Sequence, residues 1–264
     1  MLEVDVTENK PDAARASAVE RALLVLEALD TSRRGLNISE LSRRLHIPKS
    51  STHVIVQTLE RLGYIQKNAD SLNYRLGLRA YALGQSLTKS LSTSEVALPH
   101  MRALVDQLGL CSHLAVPDGD QGVYIQKVEA QGLLKIDTYI GRRMDYHCTA
   151  VGKVLLAFGP PELLDRMLAK PVYIHYTKNT ITTPKLLQRD IARVRRLGYG
   201  VDDEEEEMAM RCVAVPVYRA GRFAAALSVT GSSGQILIED IESIAARLRH
   251  AAAAIFPPEP APPV

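Results

Sequence analysis

Two short helical patterns follow each other almost without a break near the start of the chain, and this arrangement limits the possible folds more than any other feature. The first pattern spans 37–45, where Ser39 can cap the opening turn. A two-residue connection, 46–47, leads to Pro48, which is tolerated in the first turn of a helix that can continue to about Leu62. Two short helices joined so tightly predict a helix-turn-helix.

The segments on either side extend this unit into a small domain. Apolar residues recur every three or four positions over 18–29, which predicts a preceding helix. After Gly63, the segments 64–67 and 72–76 have the composition of two strands joined by a polar turn. This hairpin would be the wing of a winged helix-turn-helix. Helical spacing then resumes through about residue 90 and predicts a linker helix.

The rest of the chain alternates between strand and helix patterns. Short β-branched stretches predict strands at 113–116, 123–128, 136–140, 212–218 and 224–230. Helical spacing predicts helices at 95–109, 149–157, 161–169, 185–197 and 238–255. The fold class is therefore α+β, in which a winged domain and a linker helix precede an α/β sensor-type sheet with helices packed on it.

The domain boundaries follow from these patterns. We expect the winged domain at 16–78, the linker helix at 79–92 and the larger domain at 93–256. The remaining segments, 1–15 and 257–264, lack apolar periodicity, and we expect both to be disordered. A length of 264 residues is consistent with two domains that each bury a core.

Composition excludes several classes of protein. No apolar run approaches the roughly 18 residues of a membrane span, and the first ten residues are polar and acidic, so we expect a cytoplasmic protein without a membrane partner. The three cysteines, Cys111, Cys148 and Cys212, show no CxxC spacing, which argues against a disulfide framework or a zinc knuckle.

Positive charge is concentrated near the N-terminus. Residues 16–80 contain ten Lys or Arg and six Asp or Glu, whereas the remainder of the chain is slightly acidic. Such asymmetry is typical of a surface that binds a polyanion. A solvated mixed surface explains the charge equally well, so the arrangement of the residues has to decide.

The second helix of the helix-turn-helix has the side chains of a DNA-recognition helix. A helical wheel of 49–62 places Ser51, Thr52, Ile55, Leu59 and Leu62 on one face and Lys49, Ser50, His53 and Gln57 on the other. Hydroxyl and amide groups can reach base edges, and Gln57 could pair with adenine. We predict DNA contacts from Arg43, Arg44, Lys49, Ser50, Ser51, His53, Gln57, Lys67 and Arg75. A protein-interaction domain with incidental basic residues is the alternative.

Several motifs along the chain resemble the IclR family of transcriptional regulators. The N-terminal motifs are 17–29, 38–42 and 48–53, and the C-terminal motifs are 147–157, 198–205, 211–217 and 225–231. Together they cover about 17–255 in the family's order. The resemblance implies a GAF-like C-terminal domain and a homodimer or dimer of dimers. It further implies double-stranded operator DNA as partner and a small organic effector that changes operator binding.

The resemblance also implies a set of effector contacts. Carried over by position, they fall on Thr149, Ala150, Val151, Asp202, Cys212, Ser228 and Thr230, with His147 nearby. Ser228 and Thr230 would share one strand face because they are two residues apart. Ordinary strand chemistry and a buried cysteine are the structural alternative. Ala150 and Val151 are bulkier than in relatives that bind small carboxylates, which favours a more apolar or aromatic acid as effector.

The chain departs from the family pattern at two positions. Many members have Arg after the histidine of the recognition helix, where this chain has Val54, so its operator or its backbone contacts can differ. A glycine is usual where this chain has Ala209, and if that position needs a positive φ, the loop must be rearranged or mildly strained.

Two other functions and a metal site are alternatives to a DNA-binding regulator. A hydrolase would use His147 and Cys148 with Asp202 or Asp203, but adjacent strand residues point in opposite directions and no nucleophile elbow is present. A ligand sensor that acts through protein contacts is the second alternative. The acidic run 202–207 is expected to be a solvated turn. We expect no cofactor and no required metal, and an incidental site at His147 and His175 stays open.

Overall fold

The computed structural model describes residues 17–90, 92–132 and 135–257, with the side chains of 85–90 and 92 left undescribed. The chain divides into two compact units, Met1–Ser90 and Leu91–Val264. Of the two segments expected to be disordered, 1–15 lies outside the described residues, as does all of 257–264 except Pro257. No described helix combines the length and the apolar character that crossing a bilayer requires.

The first unit is a winged helix-turn-helix. Its elements are α1 (Ala18–Asp30), α2 (Ile38–Leu45), α3 (Lys49–Arg61), β1 (Ile65–Lys67), β2 (Tyr74–Leu76) and α4 (Leu78–Ser90). The strands β1 and β2 pair antiparallel, with Ile65 opposite Leu76. Helices α1 to α3 and this hairpin enclose one small core that includes Val25, Leu41 and Val56.

The start of α2 differs in detail from the prediction. Asn37, not Ser39, is the N-cap: its side chain accepts a hydrogen bond from the backbone N–H of Glu40 at 3.0 Å, and the Glu40 carboxylate accepts one from the N–H of Asn37. This reciprocal pair satisfies two backbone donors at once, which a cap at Ser39 would not. Helix α3 ends at Arg61. Leu62, which the helical wheel placed on the same face as Leu59, is exposed, whereas Val56 is buried with Leu59.

The second unit is built on a six-stranded antiparallel sheet in the order β5-β4-β3-β8-β7-β6. Its strands are β3 (Cys111–Asp118), β4 (Gln121–Val128), β5 (Arg143–Met144), β6 (Gly200–Asp203), β7 (Met210–Arg219) and β8 (Arg222–Ser232). Its helices are α5 (Ser92–Leu108), α6 (Ala150–Phe158), α7 (Pro161–Leu168), α8 (Pro184–Leu197) and α9 (Ile241–Ile255), with a short 3-10 turn at Ile238–Asp240.

The helices cover both faces of this sheet. Residues of α5 and α9 pack with one face in a core that includes Leu104, Leu227 and Leu248. Residues of α6, α7 and α8 form a second core that includes Leu155 and Ile191. The predicted combination of an N-terminal helix-turn-helix with a C-terminal α/β domain is confirmed.

One predicted strand is absent, and two strands were missed, the two-residue β5 and the longer β6. The segment 136–140 is irregular, and the ammonium of Lys127 is hydrogen-bonded to two of its carbonyl groups. Lys127 Nζ donates to the carbonyl oxygens of Ile136 at 3.0 Å and Thr138 at 2.7 Å. These carbonyl groups thus accept from a side chain and not from a neighbouring strand. Of the two missed strands, β6 packs close to α6: a Cβ at its first residue, Gly200, would be 2.8 Å from the carbonyl oxygen of Ala150.

Candidate functional site

The outer face of α3 carries the polar residues that the sequence predicted. Lys49, Ser50, His53 and Gln57 are all exposed, whereas Thr52, Val56 and Leu59 are buried beneath them. Ser51, which was also predicted to contact DNA, is half-buried. Val54 is 62% exposed on the same outer surface. The helix thus presents amide, hydroxyl and imidazole groups together with one apolar side chain that suits a thymine methyl group.

The turn before α3 holds this helix firmly. The Ser42 hydroxyl donates to the carbonyl oxygen of Ile47 at 2.7 Å, and the backbone N–H of Ile47 donates back to the carbonyl oxygen of Ser42 at 3.1 Å. Ile47 itself is buried. His46 adopts a left-handed conformation with φ of 52° that lets the chain reverse between the two helices. The recognition surface is therefore preorganised.

Basic residues from three elements border a groove beside α3. The groove has a volume of about 600 Å³, and Arg43 of α2, Lys49 of α3 and Lys67 of β1 all line it. The Lys67 ammonium lies 5.8 Å from the centre of the Tyr74 ring, which holds it near the base of the wing. Such a cluster of cations is suited to DNA phosphates. Arg75 is exposed on the wing, while Arg44 donates to the Thr31 hydroxyl at 3.0 Å.

A cavity of about 330 Å³ lies in the second unit against one face of the sheet. Asp202, Cys212 and Thr230 sit directly opposite one another on β6, β7 and β8 and form part of its wall. The other lining residues are His113, Tyr124, Ile136, Asp137, Thr138, Arg142, Tyr176, Glu206, Glu207 and Met210. The wall is therefore mainly polar and combines one guanidinium with several carboxyl groups.

Burial changes the protonation of groups in this wall. It raises the pKa of Asp202 to about 7, with the Glu205 and Glu206 carboxylates adding to the effect and a backbone hydrogen bond and Lys153 opposing it. It also raises the pKa of Glu206, although Arg142 acts in the opposite direction. Burial, together with the Lys127 and Arg142 cations, lowers the pKa of His113 to about 3, so this imidazole is neutral near pH 7.

The acidic run 202–207 is only partly solvated, contrary to expectation, since Glu207 is exposed but two of the other acids are buried. Asp202 is 2% exposed and Glu205 is also buried. Glu205 pairs with Lys153 of α6, whose ammonium is 2.5 Å from the carboxylate. The backbone of the turn is fastened as well, since the Thr180 hydroxyl donates to the carbonyl oxygen of Glu205 at 2.7 Å. The turn, hereafter the acidic turn, is a rigid part of the cavity wall.

Family models match both units in the order of the chain. The second matches over residues 85–256 the model described as Bacterial transcriptional regulator IclR C-terminal. The first matches the IclR helix-turn-helix domain over residues 18–69. The chain belongs to the IclR family. Members of this family are transcriptional regulators that bind DNA, not enzymes, and this chain is a transcriptional regulator of the same kind.

Relatives and solved structures agree with this assignment. The chain is 33% identical over 239 residues to the HTH-type transcriptional regulator XynR of Escherichia coli, covering 90% of this chain and 95% of XynR. It is 34% identical to KdgR of the same organism, covering 93% and 92% of the two chains. An IclR homologue from Microbacterium hydrocarbonoxydans, complexed with 4-hydroxybenzoate, superposes with a TM-score of 0.80 at 28% identity, covering 90% and 97%.

The effector contacts inferred from the IclR family fall partly on the cavity. Asp202, Cys212 and Thr230 line it, whereas Thr149, Ala150, Val151 and Ser228 are not among the lining residues. The Thr149 hydroxyl caps α6 by accepting a hydrogen bond from the N–H of Gly152 at 3.1 Å. Ala150 and Val151, the first two residues of α6, pack in the second core. Ser228 lies two residues along β8 from Thr230, between His113 and Ala214. The expectation of an apolar or aromatic acid, which rested on Ala150 and Val151, stays a prediction.

Several lining residues were missed by sequence reasoning. His113, Tyr124, Arg142 and Tyr176 come from four separate segments that only the folded sheet and its loops bring together. A histidine within the β-branched strand segment 113–116 was the one available signal, because a buried imidazole needs hydrogen-bond partners. Arg142 follows an irregular loop and carries no pattern of its own.

The residues that a hydrolase would need are not arranged for catalysis. Cys148 is fully buried, and burial raises the pKa of its thiol far above the ordinary value, so no thiolate forms near neutral pH. His147 forms no described hydrogen bond with Cys148 or Asp202. Its Nε2 lies instead 2.9 Å from the carbonyl oxygen of Ile174. Within the described part of the chain, no group of three or more His, Cys, Asp or Glu is placed to hold a metal ion.

Ala209 adopts a backbone conformation that favours glycine. Its φ is 63°, in the left-handed region, and its backbone carbonyl accepts from the N–H of Ser233 at 2.8 Å. We expect Ala209→Gly to increase the free energy of unfolding by about 0.5–1 kcal/mol, because the Cβ strain disappears. Ala192→Gly, on the exposed side of α8, should instead lower it by about 1 kcal/mol. Urea unfolding of both variants checks this, and two equal losses would refute the strain.

The raised pKa of Asp202 makes its effect on stability depend on pH. The folded chain binds this proton more tightly than the unfolded chain, so the contribution of Asp202 to stability declines as pH rises from about 4 to about 7. Asn at this position has no proton to lose. We expect the stability of Asp202→Asn relative to wild type to rise by about 2 kcal/mol between pH 5 and pH 8. Exposed Asp118→Asn is the control, and a difference that stays constant with pH would contradict the burial argument.

Proposed function

We propose that this regulator binds a pseudo-palindromic operator as a dimer, with the α3 helix of each copy in the major groove. The observation that carries the proposal is the outer face of α3, where His53, Val54 and Gln57 are exposed beside a groove lined by three cations. Polar and apolar side chains on the helix can distinguish bases, while the cations contact phosphates and add affinity. Because a regulator must share a compartment with the DNA that it binds, we place the protein in the cytoplasm.

Exposed apolar side chains in the first unit support association of two copies. Val19 and Leu23, one helical turn apart on α1, are 70% and 55% exposed. Leu78 and Tyr81 lie one turn apart on α4 and are exposed by 81% and 67%. Large side chains in such rows favour a protein-protein interface. Two copies related by a twofold axis would place two recognition helices about 34 Å apart along the DNA.

The cavity in the second unit is the proposed effector site. Its wall includes the acidic turn, and Lys153 and Thr180 tie that turn to α6 and to the loop before α8. A ligand that contacts Asp202 or Glu206 therefore acts on an element that is packed firmly against these helices. To change operator occupancy, the ligand must bind the DNA-competent and DNA-incompetent dimers with different affinity, and a coupling of about 1–3 kcal/mol is typical.

Selection of bound sequences from a random duplex library tests the proposal. The full-length protein should enrich an inverted repeat whose half-sites are centred about 10 base pairs, or a multiple of one turn, apart. Light scattering of the free protein should give at least the mass of a dimer. A library that remains unenriched after several rounds would favour the alternative sensor, which acts through protein contacts without binding DNA. A single unrepeated half-site would overturn the dimer.

A further inference from the structure

The effector cavity contains polar groups that the protein itself does not use. Nδ1 of His113 is buried and has no hydrogen-bond partner among the described residues. The side-chain hydroxyl of Tyr124 likewise donates no hydrogen bond to any part of the chain that the structure describes. Buried polar groups are nearly always hydrogen-bonded in native proteins. Unused groups in the wall of a cavity therefore indicate a ligand with several hydrogen-bonding atoms of its own.

Negative groups outnumber positive ones in this wall. Arg142 supplies the one guanidinium among the described lining residues. Four acidic residues line the cavity, namely Asp137, Asp202, Glu206 and Glu207. A ligand whose only polar group is a carboxylate would meet several groups of its own charge. Hydroxyl groups, in contrast, can donate hydrogen bonds to these carboxylates. Since burial raises the pKa of Asp202 to about 7, this carboxyl can also donate.

Arg142 retains donors for an anionic group. Its guanidinium donates to the carbonyl oxygen of Asp137 and lies 3.7 Å from the Glu206 carboxylate, a separation longer than a close ion pair. A guanidinium has five N–H donors, so these two neighbours leave others unused. Its planar fork matches a carboxylate on a ligand. An amine would be repelled by the same side chain.

We propose that the cavity binds a small polyhydroxylated carboxylic acid, whose carboxylate pairs with Arg142 and whose hydroxyl groups bond to Asp202, Glu206 and His113. This proposal rests on the assignment of the cavity as the effector site. The volume of about 330 Å³ lies at the small end of ligand pockets and suits an acid of five or six carbons. Hydroxyl groups satisfy the unused donors and acceptors, and one carboxylate satisfies the guanidinium.

Calorimetric titration of the full-length protein with a panel of five- and six-carbon aldonates, gluconate among them, tests the proposal. At least one aldonate should bind, and hexanoate, sorbitol, 4-hydroxybenzoate and spermidine should each bind at least about tenfold more weakly. Arg142→Gln and Asp202→Asn should each weaken aldonate binding by about tenfold or more. The matched control is Arg143→Gln, which changes a neighbouring arginine that pairs with Asp118 and does not line the cavity.

The outcomes separate the ligand class from the proposed function. If no aldonate binds, or if the aromatic acid or the polyamine binds more tightly through Arg142 or Asp202, the ligand class is wrong. Operator binding measured on the same preparation then shows whether the regulator assignment survives. Equal weakening by Arg143→Gln and Arg142→Gln would also overturn the proposal, because the effect would then not come from the cavity.

Discussion

Lys153→Met is expected to lower the free energy of unfolding by about 3–5 kcal/mol, because it leaves the buried Glu205 carboxylate without its cation and removes one of the two cations that pair with Asp190. The Lys153 side chain is 1% exposed, and its ammonium lies 2.5 Å from Glu205, 2.9 Å from Asp190 and 2.9 Å from the carbonyl oxygen of Val201. Burial alone would lower the pKa of Lys153, but the two carboxylates outweigh it and raise this pKa, so the lysine is charged. Guanidinium unfolding measures the loss.

A surface lysine provides the control for this variant. Lys170 pairs with Asp120 at 3.1 Å, but both side chains are substantially exposed, so Lys170→Met should change stability by no more than about 0.5 kcal/mol. Adding Glu205→Gln to Lys153→Met should recover part of the loss, because the uncompensated charge is removed. A loss below about 1 kcal/mol in the single variant, or no recovery in the double variant, would show that the ion pair does not hold the acidic turn.

Gln57→Ala is expected to lower operator affinity by about 1–3 kcal/mol while leaving non-specific binding nearly unchanged. Gln57 is exposed on the outer face of α3, and its amide can both donate to and accept from one adenine. Because the side chain is uncharged, its loss should not change the slope of log affinity against log salt. Fluorescence anisotropy with operator and scrambled duplexes, at several salt concentrations, measures both quantities.

Two variants make this result interpretable. Gln188→Ala, on the exposed side of α8, should leave binding to both duplexes unchanged. Lys49→Gln should weaken binding to both duplexes and reduce the salt slope by about 1, as loss of one phosphate contact would. If Gln57→Ala weakened the two duplexes equally, the residue would not distinguish bases, and sequence recognition would have to come from another part of α3 or from the wing.

Local patterns were sufficient to predict the first unit. The spacing of apolar residues and the position of Pro48 gave α1, α2 and α3 to within a few residues, because each is an amphipathic helix with clear ends. The exposed face of α3 followed from the same periodicity. The cap of α2 shows the limit of this reasoning. Several polar residues could have capped the helix, and the cap is Asn37, not Ser39, because Glu40 lies three residues after Asn37 and completes a capping box.

The cavity in the second unit could not be predicted in the same way, because it depends on contacts between distant segments. The sequence of the acidic turn, taken alone, indicates a solvated segment. Its Glu205 can be buried because Lys153, some 50 positions earlier in the chain, pairs with it. A lysine inside the apolar segment 150–158 was a usable signal, since a buried ammonium requires a carboxylate partner. No local sequence pattern indicated that Lys127 would donate hydrogen bonds to carbonyl groups of the segment 136–140.

Binding of the full-length protein to the DNA upstream of its own gene is the most direct test of sequence-specific recognition. Fluorescence anisotropy at two salt concentrations, with excess non-specific competitor, compares that duplex with a scrambled one of the same composition. We predict salt-sensitive binding that survives the competitor and is at least about 10³-fold tighter for the natural duplex. Equal affinity for the two duplexes would contradict sequence-specific recognition of this DNA. It would favour the alternative, a ligand sensor that acts through protein contacts.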